Sequence, residues 1–217
     1  MAAASIAQVH KAQLKDGKAV AIKILRPNIA KRFRRDINMC RWFARMAERF
    51  VPRMRRLKPV EIISLFERTV AMELDLRLEA AAASELAENM LEEEHFHVPA
   101  VNWNFTTERV MMMEWVDGIK LSDVDALKAA GHDLDKILMK LSEVFFKQAF
   151  RDGFFHADPH PGNLFIDKHS RIVAVDFGIM GRLDWRTRLY VAEIFDGFLK
   201  EDFHRVAKAH FLSLIHI

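Results

Sequence analysis

His156-Ala157-Asp158-Pro159-His160-Pro161-Gly162-Asn163 is the stretch on which the reading of this chain turns. It has the register H-x-D-x-x-x-x-N, and its two prolines and one glycine make it a loop. Short apolar runs follow at Leu164 to Ile166 and Ile172 to Val175, on either side of a polar turn, and read as buried strands. Asp176-Phe177-Gly178 comes directly after the second run, 18 residues beyond Asp158. Far upstream, Ala21-Ile22-Lys23 lies within the apolar run Ala19 to Leu25. Lys15-Asp16-Gly17-Lys18 separates that run from another at Ile6 to Leu14, the pattern of a β-hairpin. Each motif alone is common. In this order and context they point to phosphoryl transfer, in which a lysine neutralises the α/β-phosphates and an acidic helix residue holds that lysine. A loop aspartate orients the attacking hydroxyl or water, and an asparagine and a second aspartate hold Mg²⁺. The candidate catalytic residues are therefore Lys23 and Asp158, and the candidate metal ligands are Asn163 and Asp176.

The rest of the chain fits around these motifs. Residues 29–50 repeat apolar groups at helical spacing, at Phe33, Ile37, Cys40, Phe43, Ala47 and Phe50. Pro52 and Pro59 bracket a basic linker. A single long helix is expected from Val60 to Glu93, which contain no proline or glycine. Val98 to Val101 and Arg109 to Trp115 read as strands. Helices are expected over 122–130 and 133–151, with another starting near Asp184. The expectation is an α+β, protein-kinase-like, two-lobed fold. Residues 1–116 form a small β-rich N-lobe with long helices, and residues 117–217 a mainly helical C-lobe of the same domain. Enzymes built this way hold their ligand in the cleft.

Composition narrows the function classes. A lone Cys40 among 217 residues excludes an internal disulfide scaffold. No apolar run of about 18 residues is present to span a membrane, and Met1-Ala2-Ala3-Ala4-Ser5 lacks the features of a signal peptide. A cytoplasmic setting is expected, at the inner face of the membrane if one is involved. The net charge of +3 hides a gradient: residues 1–60 hold 16 Lys and Arg against 3 Asp and Glu, while residues 61–100 hold 2 against 10. A basic end of that strength suits phosphate, nucleic acid or anionic lipid.

The motif set resembles the UbiB/AarF family of atypical kinase-like proteins, which are associated with ubiquinone biosynthesis. The resemblance rests on Ala2-Ala3-Ala4-Ser5-Ile6-Ala7-Gln8-Val9-His10, Ala21-Ile22-Lys23, Glu73-Leu74-Asp75, Phe155 to Asn163 and Asp176-Phe177-Gly178. It implies ATP (or ADP) and Mg²⁺ as cofactors, and ATPase-like rather than ordinary protein kinase activity. Ala2, Ala3, Ala4 and Ser5 would form an Ala-rich nucleotide loop, stiffer than a Gly-rich one because alanine is denied much of the positive-φ space. Glu79 would hold Lys23, and Glu73 and Asp75 would face a K-x-G-Q element that this sequence lacks. Asp75 and Glu79, four apart, are expected on one helix face. The segment at Glu114, Trp115 and Val116 would meet adenine through its backbone. Expected partners are the nucleotide, an anionic membrane surface, an isoprenoid lipid and quinone-biosynthesis proteins, with no nucleic acid. Because Met1 lies inside the nucleotide loop and Leu212 to Ile217 depart from the family pattern, the fold is expected to be incomplete at both ends.

Other readings stand beside this one. Asp158 also permits a small-molecule or protein kinase, and the motifs also suit a non-enzymatic nucleotide- or lipid-binding regulator. His156, His160 and Asp158 carry metal-ligand chemistry, but Pro159 and Pro161 preclude helical i, i+4 geometry, which favours a packed or hydrogen-bonded His156. His95 and His97 read as ordinary strand residues. The basic helix 29–50 interleaves Phe33, Trp42 and Phe43 with Arg and Lys, and reads either as a solvated face or as a lipid contact.

Overall fold

The structure is a computed structural model that describes residues 2–3 and 6–215. Ala4 and Ser5 of the expected nucleotide loop lie outside the described residues. The chain divides into two compact units, one of residues 1–83 and 100–115, the other of residues 84–99 and 116–217.

The first unit is built on a four-stranded antiparallel sheet. β1 (Ala2–Ala3), β2 (Ala7–Gln13), β3 (Ala19–Leu25) and β5 (Val110–Glu114) lie in that order. The Asp16-Gly17 turn forms as the sequence predicts, with Gly17 at φ +88°, where a side chain would be strained. The pairing Lys23↔Met111 and Ala21↔Met113 fixes which side chains share a face. Met111, Met112 and Met113 are buried although β5 is the last strand of that order. Helix α1 (Ile29–Phe50) has the bounds its periodicity predicts, and it packs along α2 (Pro59–Glu73) through Ile37 and Ala44 and an Arg41–Glu67 ion pair.

The expected long helix is two helices. α2 ends at Glu73, and α3 (Leu76–Asn89) starts after a break at Leu74-Asp75. The cause is tertiary. The Leu76 N–H donates to the Glu108 carbonyl at 2.9 Å, so it cannot donate to the helix turn before it, and the Leu76 side chain is buried. Asp75 then caps the new helix, its Oδ1 accepting the Arg77 N–H at 3.1 Å. Asp75 is therefore outside the helix that carries Glu79, and the expected shared face does not exist.

The second unit has a four-stranded sheet in the order β4 (Phe96–His97), β9 (Ile172–Ala174), β8 (Leu164–Ile166), β6 (Ile119–Lys120). The strand expected at 98–101 begins earlier and is shorter, leaving His95 in a turn; Val101 makes an isolated bridge to Met113. Helices α4 (Val124–Ala129) and α5 (Leu134–Phe146) are capped by Asp123 and Asp133. The chain then takes a π-helical turn over Lys147–Asp152, where the sequence suggests continued α-helix. A ribbon follows that the sequence does not announce, β7 (Phe154–His156) paired with β10 (Met180–Arg182). Gly181 leaves room in it for the Phe155 ring, which an added Cβ would meet at 2.3 Å and displace. Helices α6 (Trp185–Leu199), capped by Asp184, and α7 (Phe203–Ile215) pack on each other. The last helix runs to Ile215. Among the described residues no helix is long and apolar enough to cross a membrane.

Candidate phosphoryl-transfer site

In the first unit, strand β3 carries Lys23 and helix α3 carries Glu79 in its first turn. Lys23 Nζ meets Glu79 Oε1 at 2.6 Å, joining residues 56 apart in sequence, and both side chains are largely buried. A charge-assisted contact this short and this sheltered holds the ammonium on the Ala21 face of the sheet. Strand pairing puts Lys11 on that face too, and its ammonium lies 4.6 Å from the centre of the Trp115 ring. The break before α3 separates the other two acids from this pair. Glu73 closes α2, and the Asp75 carboxylate turns to Arg77, whose guanidinium holds its pKa below the ordinary value. The Glu114 N–H donates to the Ala100 carbonyl at 2.9 Å and the Trp115 N–H to the Ala19 carbonyl at 3.4 Å, so neither N–H is left as a donor to a base. Val116 opens the 116–217 segment of the second unit.

In the second unit, the loop of residues 156–163 is pinned at each polar step. His156 is buried at the end of β7 and its N–H donates to Gln148 Oε1 at 3.1 Å. Its Nδ1 accepts the Asp158 N–H at 3.2 Å, which places the proton of the neutral ring on Nε2. That Nε2 is buried and, among the described residues, lacks a hydrogen-bond partner of good geometry. The ring lies 6.0 Å from that of Phe177, which is fully buried. Burial pushes the His156 pKa down, outweighing the upward pull of the Asp176 main chain and of the Asp176 and Asp158 carboxylates. The Asp158 side chain is left exposed to solvent. His160 Nδ1 accepts the Gly162 N–H at 3.0 Å, and the His160 carbonyl accepts the Asn163 N–H at 2.8 Å. Each imidazole thus uses a ring nitrogen to shape the loop. Among the described residues no group of three His, Cys, Asp or Glu is placed to hold a metal.

The two expected magnesium ligands sit at one end of one ribbon. β8 and β9 pair with Leu164 opposite Ala174, and the Val175 N–H donates to the Asn163 carbonyl at 3.1 Å. Asn163 and Asp176 flank that rung. Asp176 Oδ1 accepts the Gly178 N–H at 3.2 Å, fixing the carboxylate in a tight turn. One amide and one carboxylate are hard oxygen donors. They fit Mg²⁺, which takes few protein ligands and keeps sites for water and phosphate.

The sequence reading missed Gln148. It is a polar residue at a helical position, and only its burial, 2 % exposed within the π-helical turn, reveals its task. Lys147 and Arg151 anchor that turn by pairing with Glu93 at 2.7 and 3.0 Å. Charged residues at i, i+4 on a helix were a visible signal, but their common partner 54 residues away was not.

A description of the ABC1 atypical kinase-like domain matches residues 1–210. The chain belongs to the ABC1 atypical kinase-like family. It is 40% identical over 217 residues to a protein of Marinobacter nauticus named "Probable protein kinase UbiB", covering 98% of this chain and 40% of that one. Rv3197 of Mycobacterium tuberculosis, solved in complex with erythromycin, superposes with a TM-score of 0.70 at 27% identity, over 96% of this chain and 52% of that one. The chain thus spans between two fifths and about half of these relatives' lengths. The kinase-like, mixed α+β fold expected from the sequence is the fold of this ABC1 family member.

Two predictions arise from its loop. Gln148→Leu leaves the buried His156 N–H without its acceptor, at a cost of about 1–3 kcal/mol. Under the phosphoryl-transfer reading it should lower kcat with KM little changed, because Gln148 holds the loop backbone from its buried side. Gln148→Glu, which keeps an acceptor oxygen, should recover much of the loss. Equal kcat in wild type and Gln148→Leu would refute the positioning role. The second concerns pH. The pKa of His156 is lower folded than unfolded, so its contribution is complete above the unfolded value of about 6.5 and is lost as pH falls toward the folded value. The urea midpoint should fall as the pH drops below about 6.5, less steeply in His156→Asn. Parallel profiles for the two proteins would show that His156 is not the group.

Proposed function

We propose that this chain is the core of an ATP-binding, Mg²⁺-dependent atypical kinase or ATPase-like protein that supports ubiquinone biosynthesis. The Lys23–Glu79 ion pair is the observation that carries the proposal. A buried lysine held by an acid on a neighbouring helix, in a chain that also has the Asp158 loop and Asp176-Phe177-Gly178, is the apparatus that phosphoryl transfer requires.

Each residue then has a task. Glu79 holds Lys23 in place, and the Lys23 ammonium neutralises the α/β-phosphates. Ala2, Ala3, Ala4 and Ser5 offer backbone N–H groups to the phosphates, and the main chain at Glu114 and Val116 meets the base. Because the Glu114 N–H is engaged, the Glu114 contact falls to its carbonyl. Asp158, exposed and presented by a loop with few free donors, orients the attacking hydroxyl or water. Asn163 and Asp176 hold Mg²⁺, which neutralises charge developing on the transferred phosphoryl group. In functional terms the chain divides at residues 116 and 117, with nucleotide-gripping groups before that point and the catalytic and metal-holding groups after it, within one kinase-like domain. Glu73 and Asp75 keep their reading as a family motif. The partners in this reading are quinone-biosynthesis proteins and an isoprenoid lipid, at the inner face of the membrane.

The test is calorimetric ATP binding and phosphate release with and without Mg²⁺. Mg²⁺-dependent binding is expected, and its absence in a chain that unfolds cooperatively would sink the proposal. Exposure of the Asp158 carboxylate also favours a second reading, transfer to a hydroxyl acceptor. Radiolabelled phosphate appearing on a defined small molecule or protein, rather than released to water, would decide for it.

A further inference from the structure

Helix α1 is the feature that the proposed chemistry leaves without a task. From Ile29 to Lys58 the chain carries eleven Lys and Arg against two acids, Asp36 and Glu48. Ile37 and Ala44 mark the buried side of the helix. On the far side, Met39, Trp42, Phe43 and Phe50 form an apolar stripe about 100° wide, with Trp42 55% exposed, Phe43 57% and Phe50 69%. The Trp42 and Phe43 rings meet edge-on at 4.9 Å, and the Arg49 guanidinium lies 5.7 Å from the centre of the Phe50 ring. Exposed Lys31, Arg35, Arg45 and Arg49 border the stripe along its Trp42 edge, exposed Asp36 lies at its Phe43 edge and pairs with Arg35, and exposed Leu57 follows among Arg53, Arg55 and Arg56.

This pattern selects its occupant. A stripe of aromatics in water is unfavourable unless it is covered, and a border of cations asks for an anionic cover. A second copy applied through the same face would set these cations against one another. Helix α2 exposes Ile62, Leu65 and Phe66, but its charges include Glu61, Glu67 and Glu73, which an anionic surface repels. An aromatic stripe bordered by Lys and Arg is what an interfacial helix presents to a bilayer. We propose that α1 lies in the plane of an anionic phospholipid bilayer, with Trp42, Phe43 and Phe50 at the acyl boundary and Lys31, Arg35, Arg45 and Arg49 among the headgroup phosphates. This extends the partner side of the function proposed above and needs no nucleotide, so the two fail separately.

The test is co-sedimentation of the 217-residue chain with phosphatidylglycerol-containing vesicles and with pure phosphatidylcholine vesicles. Binding is expected to the first alone, and to weaken in high salt. The triple charge reversal Arg35→Glu, Arg45→Glu, Arg49→Glu should weaken it by about 100-fold or more. The side chains are exposed, so an unchanged thermal midpoint verifies the fold. Trp42→Phe should remove most of the tryptophan quenching caused by brominated lipids, because it places the reporter at the bilayer. Equal binding to both vesicle types, binding indifferent to the charge reversal, or quenching unchanged in Trp42→Phe would each overturn the proposal. So would concentration-dependent dimerisation through this face, or retention on a nucleic-acid polyanion without vesicle binding.

Discussion

Replacing Asp176 with asparagine should lower Mg²⁺-dependent ATP turnover by about 10²–10³-fold and leave the thermal midpoint unchanged. The two halves of that expectation have different origins. Asp176 Oδ1 accepts the Gly178 N–H, and an asparagine Oδ1 does the same, so the turn survives. Asparagine lacks the negative charge, and next to the neutral amide of Asn163 it leaves no charged ligand between the two. Mg²⁺ gives up its water reluctantly and needs a carboxylate to hold it. The Mg²⁺ concentration for half-maximal turnover should therefore rise steeply in Asp176→Asn. A variant that turns over ATP with the wild-type Mg²⁺ dependence would remove Asp176 from the metal site. A variant that unfolds would show instead that the carboxylate is structural, and circular dichroism separates the two outcomes.

The second large effect falls on stability and binding together. Lys23→Met strips the nearly buried Glu79 carboxylate of the ammonium 2.6 Å away. Breaking one side of a sheltered pair costs about 3 kcal/mol, or roughly 6–12 °C in Tm for a chain of this size. Replacing both partners, as Lys23→Met with Glu79→Leu, should return most of that stability, because no charge is then left without its counterpart. It should not return ATP binding, because the phosphate-neutralising group is still missing. Recovery of stability without recovery of binding separates the structural from the chemical task of Lys23. If the double variant binds ATP as the wild type does, Lys23 has no part in the site.

How far the sequence could be read depended on the range of the interactions that decide each element. The β2–β3 hairpin, helix α1 and the strands around the Asp167–Ser170 turn are set by local patterns, and all three formed where their residues predict. The break between α2 and α3 was not legible. Nothing in Glu73-Leu74-Asp75 forbids a helix, and the interruption depends on the Glu108 carbonyl, 32 residues from Leu76. The π-helical turn is similar, held by Glu93 through Lys147 and Arg151 and by the demand of His156 on Gln148. In the candidate site, the motifs identified residue types and order. Only the structure shows that Lys23 meets Glu79 while Asp75 turns away to Arg77, and that His156 and His160 spend their Nδ1 atoms on loop backbone.

The ribbon that ends in Asn163 and Asp176 has a consequence for how this family can vary. Both proposed metal ligands belong to one closed piece of chain fourteen residues long, shut at its far end where Asp167 takes the N–H groups of His169 and Arg171. Their separation is therefore inherited locally, as the legs of a caliper inherit theirs from its hinge. Residues added at the turn lengthen the caliper beyond the hinge and leave its bite unchanged. A slip of one residue in the pairing of Leu164 with Ala174 turns every side chain along one leg to the opposite face. Drift in length is harmless on one side of this small device and ruinous on the other.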